Sequence, residues 1–173
     1  VNSAQTFVAW NWLAGTAPTA DNSAGAGATP TAGSVKIDGS NLGSALAGTI
    51  AATRLSANTT AGFSIATFTG TGSAATVAHG LGVTPELVFV KGVDIARDWL
   101  VWDKDLTSAT YCLLLNTNAA EMNDAGYFGA APTSSIVNVG TYDYTNGSGS
   151  DYVIYSFASI EGYSKVGGYT GNG

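Results

Sequence analysis

The chain has 173 residues, enough for one domain of ordinary size with a buried core. Only 10% of them are charged, against about a quarter in an average soluble protein, and the net charge is −6. Its six Lys and Arg are spread singly, which excludes nucleic acid and anionic membrane as expected partners, and its single cysteine, Cys112, excludes an intrachain disulfide. A surface so poor in Lys and Glu must be solvated by hydroxyls, amides and backbone, a habit of extracellular and virion β-proteins. The chain opens on Val1 rather than Met and shows no signal peptide, so it reads as a section of a longer polypeptide.

"TFVAWNWLA" (6–14) mixes aromatic and β-branched residues in a short run and reads as a strand. The next stretch, 15–33, is Ala, Gly, Thr and Pro with no large apolar side chain. It buries too little to offset its ordering entropy, and the whole of 15–61 reads as a linker or a surface-clinging arm. Within it, "SVKIDG" (34–39) suggests a short strand. "NLGSALAGTIAATRL" (41–55) has apolar residues at helical spacing broken by Gly48 and Thr49, and fits neither pattern well.

From residue 62 onward the pattern is β. "GFSIATFTG" places Phe63, Ile65 and Thr67 on one face and Ser64, Ala66 and Phe68 on the other. "ATVAHGLG" (75–82) and "TPELVFVKGV" (84–93) come next, the latter opened by a proline that costs little at the start of a strand. "DWLVWDKD" (98–105) sets Trp99, Val101 and Asp103 against Leu100, Trp102 and Lys104. "TYCLLLNT" (110–117), "SSIVNVGTY" (134–142) and "SDYVIYSFASIEGYS" (150–164) complete the set, with one helical turn expected in "NTNAAEMNDAGYF" (116–128). Seven or eight strands between turn signals imply an all-β chain, an antiparallel β-sandwich or jelly-roll-like domain.

Two phrases occur twice. "TFVAWNW" (6–12) aligns with "DYVIYSF" (151–157), and "FTGTG" (68–72) with "YTGNG" (169–173). Self-similarity at both boundaries suggests repeating units cut across their joints. Residues 1–14 then resemble the end of a preceding repeat, 15–61 are the linker or arm, 62–166 the β-sandwich unit, and 167–173 the start of a next repeat.

"SANTTAGFSIATFTGTGSAATVAHGLGVTPELVFVK", "APTSSIVNVG", "NGSGSDYVIYSFASIEGYSKVGGYTGNG" and "TFVAWNWLAG" together resemble a β-rich domain repeated in tail-fibre and other virion structural proteins of bacteriophages, particularly those of marine and aquatic bacteria. That resemblance implies a virion or appendage component, or otherwise an extracellular location, with a homo-oligomer, a trimer by family habit, as its assembled form. It brings no active site and no cofactor. Residues 16–54 depart most from the family's phrases.

The residues themselves offer little chemistry. His79 is the only histidine and lacks a nucleophile elbow, so it is expected to bond backbone groups in the turn before Pro85. Cys112, in an apolar run, reads as a small buried hydrophobe. The glycines of "GTGS" and "GNG" precede no helix and have no lysine to reach a phosphate. Asp94, Asp98, Asp103 and Asp105 show no EF-hand spacing, and no metal is expected. Asp103 and Asp105, two apart on a strand, do not establish a glycosidase pair, so no catalytic residue and no enzyme activity are expected.

Two constellations remain. Trp99 and Trp102 beside Asp98 and Asp103, with Tyr142 and Tyr144, are raw material for a glycan site, where rings stack on C–H faces and charged groups bond hydroxyls. The competing reading buries the tryptophans by strand alternation. Phe7, Val8, Trp10 and Trp12 form a candidate assembly strand that completes a neighbouring sheet. The expected function is a non-enzymatic structural module of a phage tail fibre, assembling with copies of itself and adjacent virion modules. The alternative is a glycan-binding, host-recognition module or a bacterial adhesin domain.

Overall fold

The structure is a computed structural model, and it describes residues 6, 9 and 11–172. Runs of Val, Ile, Phe and Tyr, broken every few residues by Gly, Asn, Ser or Asp, give eleven short strands and no helix among the described residues. They are β1 (Val35–Ile37), β2 (Ser40–Asn41), β3 (Arg54–Asn58), β4 (Phe63–Thr69), β5 (Ala75–Ala78), β6 (Leu87–Gly92), β7 (Leu100–Asp103), β8 (Tyr111–Leu114), β9 (Met122–Asn123), β10 (Ile136–Val139) and β11 (Asp151–Phe157). Nine of them form one sheet in the order β2-β1-β3-β4-β11-β6-β7-β8-β9; β10 and β5 form a second, two-stranded sheet. All pairs are antiparallel except β1 with β3.

The last long strand occupies the middle. β11 pairs over seven residues with β4 on one side and over six with β6 on the other. The sheet therefore cannot close until the end of the chain arrives, a long-range topology that favours slow folding.

Strand alternation divides the large sheet into two unlike faces. Tyr152 and Ile154 of β11, Phe68 and Ala66 of β4, Val88 and Val90 of β6 and Leu100 of β7 all lie on the inner side and are buried. Val77, Val137 and Val139 of the small sheet join them in one cluster with Leu46, Ile50, Leu81 and Phe128. The result is an all-β, sandwich-like fold, nine strands against two plus covering loops. Each large side chain fully buried here contributes about 1.5–3 kcal/mol.

One row of the inner face is anomalous. Register places Ala57, Ser64, Ser156, Val88 and Trp102 side by side across five strands. The hydroxyls of Ser64 and Ser156 and the indole Nε1 of Trp102 are buried there without hydrogen-bond partners. Each such group costs about 1–3 kcal/mol of desolvation.

The segment 15–61 carries more of the fold than its composition suggested. It supplies β1, β2 and β3, and its Val35, Leu55 and Ala57 are fully buried. Asp38 and Gly39, both at positive φ, make the tight turn of the β1–β2 hairpin. The poorest part, before β1, is held by hydrogen bonds in place of bulk. Asn22 donates to the Ala52 carbonyl and accepts from the amides of Ala24 and Thr31, and its own amide bonds the Thr53 carbonyl. Thr16 accepts from the Ser56 hydroxyl, and Gly15 passes so close to the Ala57 carbonyl that a Cβ would sit 2.5 Å from it. Small residues let this strand-like arm lie against β3 where larger ones would clash.

Two local expectations are corrected. The stretch 116–128 holds no helical turn; it contains the two-residue β9 paired with β8. Among the described residues of 6–14, none is in a strand. Phe7, Val8 and Trp10 of the candidate assembly strand lie outside the described residues, whereas Trp12 packs on its own unit.

Candidate functional site

β7 separates the two tryptophans proposed to act together. Trp102 faces inward and is buried in the core at 6% exposure. Trp99, at the opposite parity, is half-buried on the outer face and stacks on Tyr155 at a centroid distance of 6.1 Å. A two-tryptophan sugar platform is therefore not formed, because an odd spacing on a strand turns the two rings to opposite sides. The neighbouring carboxylates are engaged locally. Asp98 accepts from Asn116 Nδ2 at 2.7 Å, and Asn116 Oδ1 in turn accepts from the Trp99 amide. Asp103 accepts from the Asp105 amide at 2.8 Å, closing its own turn.

Tyr142 and Tyr144 are brought together, with partners the sequence reading did not nominate. Both pack edge-on against Tyr127, at centroid distances of 5.2 and 5.6 Å. The guanidinium of Arg97 lies 5.3 Å from the centre of the Tyr144 ring and bonds the carboxylate of Asp143. The Tyr142 hydroxyl donates to Asp124 Oδ2 at 2.9 Å, and that carboxylate raises the Tyr142 pKa. The bond to Asp143 likewise raises that of Arg97. Tyr142 keeps 41% of its surface exposed. The cluster is a small amphipathic patch of rings bordered by charge. The spacing of Tyr142 and Tyr144 was its only sequence signal, since Arg97, Asp124 and Tyr127 come from two distant loops.

The second candidate surface is the outer face of the nine-stranded sheet. Phe63 and Phe157, directly opposed on β4 and β11, have ring centroids 4.8 Å apart, and Phe89 on β6 meets Phe157 edge-on at 5.6 Å. Trp12 covers the pair, 6.1 Å from Phe63 and 5.4 Å from Phe157. Beside it a groove of about 610 Å³ is lined by Asn11, Trp12, Leu87, Phe89, Tyr163 and Val166, among others. Its far wall is the chain after β11, anchored where Ser159 donates to Glu86 Oε2 and accepts from the Val166 amide. Lys104 adds an ion pair to Glu86 at 3.5 Å.

The two residues with the most perturbed titration are structural. His79 is fully buried; its Nδ1 accepts from the Leu81 amide at 3.2 Å, which assigns the ring proton to Nε2, facing the Thr133 carbonyl at 3.1 Å. Burial lowers its pKa to about 4. It holds backbone, as the sequence reading expected. Burial pushes the Cys112 thiol up to about 11, as suits an inert core residue. Among the described residues, no three His, Cys, Asp or Glu side chains gather at a spacing that suits a metal ion.

Residues 36–173 match a protein family described as a domain of unknown function, DUF7483. The match begins within the segment read as linker, in agreement with the strands found there. Searches of curated proteins and of solved structures returned no match.

Proposed function

The chain belongs to the DUF7483 family, and from that premise we propose that it is a non-enzymatic structural module of a phage tail fibre or similar virion appendage, acting by packing against copies of itself. The observation that carries this reading is the outer face of the nine-stranded sheet. Ile65, Phe89, Trp99, Leu113, Val153 and Tyr155 share that face and are each partly exposed, and among the described residues Trp12 overlies its Phe63–Phe157 end. Contiguous apolar faces that keep part of their surface exposed mark interaction sites. The low surface charge and the phage-protein resemblance of the long phrases in 55–173 support the virion setting. A trimer is the assembled form the resemblance favours, and closed symmetry is the general rule.

Sedimentation velocity on the chain tests the assembly. The expected result is a discrete oligomer that Tyr155→Lys converts to a folded monomer by circular dichroism. A wild-type chain that stays monomeric at its highest soluble concentration would defeat the reading.

A second reading, recognition of a host glycan, has one specific observation in its favour, the exposed Tyr142 ring flanked by Asp124 and the Arg97–Asp143 pair. Glycan-array binding lost in Tyr142→Ala, with Trp102 left intact as a core residue, is its expected signature. Binding that survives Tyr142→Ala would place recognition elsewhere.

A further inference from the structure

The two ends of the tyrosine cluster differ in charge. At the Tyr144 end Arg97 and Asp143 neutralise each other. At the Tyr142 end Asp124 has no Lys or Arg partner among the described residues. Its carboxylate is bonded by neutral donors: Oδ1 accepts from the Gly126 amide at 2.8 Å and Oδ2 from the Tyr142 hydroxyl at 2.9 Å. A negative charge without a counter-ion therefore stands beside an aromatic ring.

That ring is held in place by backbone. The amides of Thr141 and Tyr142 both donate to the Gly126 carbonyl, at 2.9 and 3.0 Å. A Cβ added to Gly126 would come within 2.6–2.8 Å of Cε1, Cζ and Cε2 of Tyr142. Near-equal distances to those three atoms put it over the face of the ring, not at its edge. A glycine there lets the ring lie flat on the chain, and Tyr142 still keeps 41% of its surface exposed. Anchored at its hydroxyl and on one face, the ring loses little further freedom when a ligand arrives.

The cluster also shows what its rings accept. The Arg97 guanidinium lies 5.3 Å from the centre of the Tyr144 ring, within the range where a ring's π-electrons attract a cation. An ammonium group brought to Tyr142 meets the same attraction, with Asp124 as its counter-ion. A neutral sugar gains only the contact with the ring, and an acidic one is repelled by Asp124. We propose that Tyr142 and Asp124 form a site for an ammonium group, carried by an amino sugar or by a quaternary-ammonium headgroup. This rests on the reading of the patch as a recognition surface and adds the charge of what it recognises.

Chemical-shift titration of the full chain tests this at the Tyr142 ring and the Gly126 amide. The probes are choline against its neutral carbon isostere dimethylbutanol, and protonated glucosamine against glucose. A cation is expected to bind about tenfold more tightly than its neutral partner. Asp124→Asn, which keeps an acceptor for the Tyr142 hydroxyl, should cut that preference to about twofold, and Tyr142→Ala should abolish the shifts. A preference for choline alone would mark a headgroup as the source, and one for glucosamine alone an amino sugar. Glucose binding as tightly as glucosamine, with choline no better than dimethylbutanol, would overturn the charge preference and leave the glycan reading standing. A preference unchanged in Asp124→Asn would overturn the role of Asp124. No response at Tyr142 to any of the four probes would overturn both readings.

Discussion

The phrase aromatic-Thr-Gly-X-Gly occurs at 68–72 and again at 169–173, and the two copies have opposite fates. Phe68 stacks on Tyr152 at 5.3 Å and is buried, whereas Tyr169 is 95% exposed. Gly70 lies so close to the Gly147 carbonyl that a Cβ would come within 2.3 Å of it. Asn146, fully buried, accepts from the Thr71 amide and donates to the carbonyls of Ser73 and Gly140. In the second copy the contact before the phrase is one bond, from the Gly168 amide to Asp105. A five-residue phrase does not carry its own structure. Its conformation is imposed by Asn146 and Tyr152, some seventy-five residues away along the chain.

The largest break in this comparison is Phe68→Ala. It empties a stacked, fully packed position, and a loss of about 3–5 kcal/mol is expected in denaturant unfolding. A smaller loss than that of Leu115→Ala, at an exposed position, would contradict this packing.

Acid should separate the two copies next. The folded pKa of His79 lies at about 4, below its ordinary 6.5. Between those values the unfolded chain binds a proton that the folded chain refuses, so stability rises with pH across the window. The contribution is fully present above about pH 6.5, is lost as the pH falls towards 4, and amounts to at most about 3 kcal/mol. The protection of the Gly70 amide, its exchange taken relative to the intrinsic rate at each pH, should fall over that range while Gly171 stays unprotected throughout. His79→Asn should remove the pH dependence from the unfolding midpoint.

Asn146→Ala is expected to cost about 2 kcal/mol, since it orphans the Thr71 amide and two carbonyls in a buried turn. Its mark is local. Exchange at Thr71 and Gly72 should approach that of residues 170–172, making the first copy resemble the second.

The strands were legible because their signal is local. "LVFV" and "YVIYSF" alternate with period two, and β6 and β11 track them closely. What the sequence concealed was which face would be inside. In β4 and β11 the directly opposed aromatics Phe63 and Phe157 lie outward, while the adjacent pair, Ser64 and Ser156, lies in the core. Aromatic content is no guide there, because Trp12 arrives from another part of the chain to cover the phenylalanines. The arm before β1 was hidden for a related reason. Asn22 and backbone bonds order it, and no hydrophobic pattern reports them. Of the nominated site residues, Tyr142 and Tyr144 share a cluster because the turn at 141–145 brings both rings onto Tyr127, and Trp99 and Trp102 are divided because they are three apart along extended chain.

The smallest expected effect is the most discriminating. Tyr169→Ala should change the stability of this chain by no more than about 0.5 kcal/mol, the range of substitutions at exposed positions. Phe68 costs much more to remove only because Tyr152 and Asn146 close over its turn. If the second copy is the opening of another unit, as the repeat suggests, the same substitution should become costly in a longer polypeptide that supplies residues equivalent to those two. Unfolding measured on both lengths decides between a repeat and a coincidence of phrase. Equal, negligible losses in the two would leave "YTGNG" a surface tail, and a loss of several kcal/mol in the longer one would make it the β4 end of a second sheet.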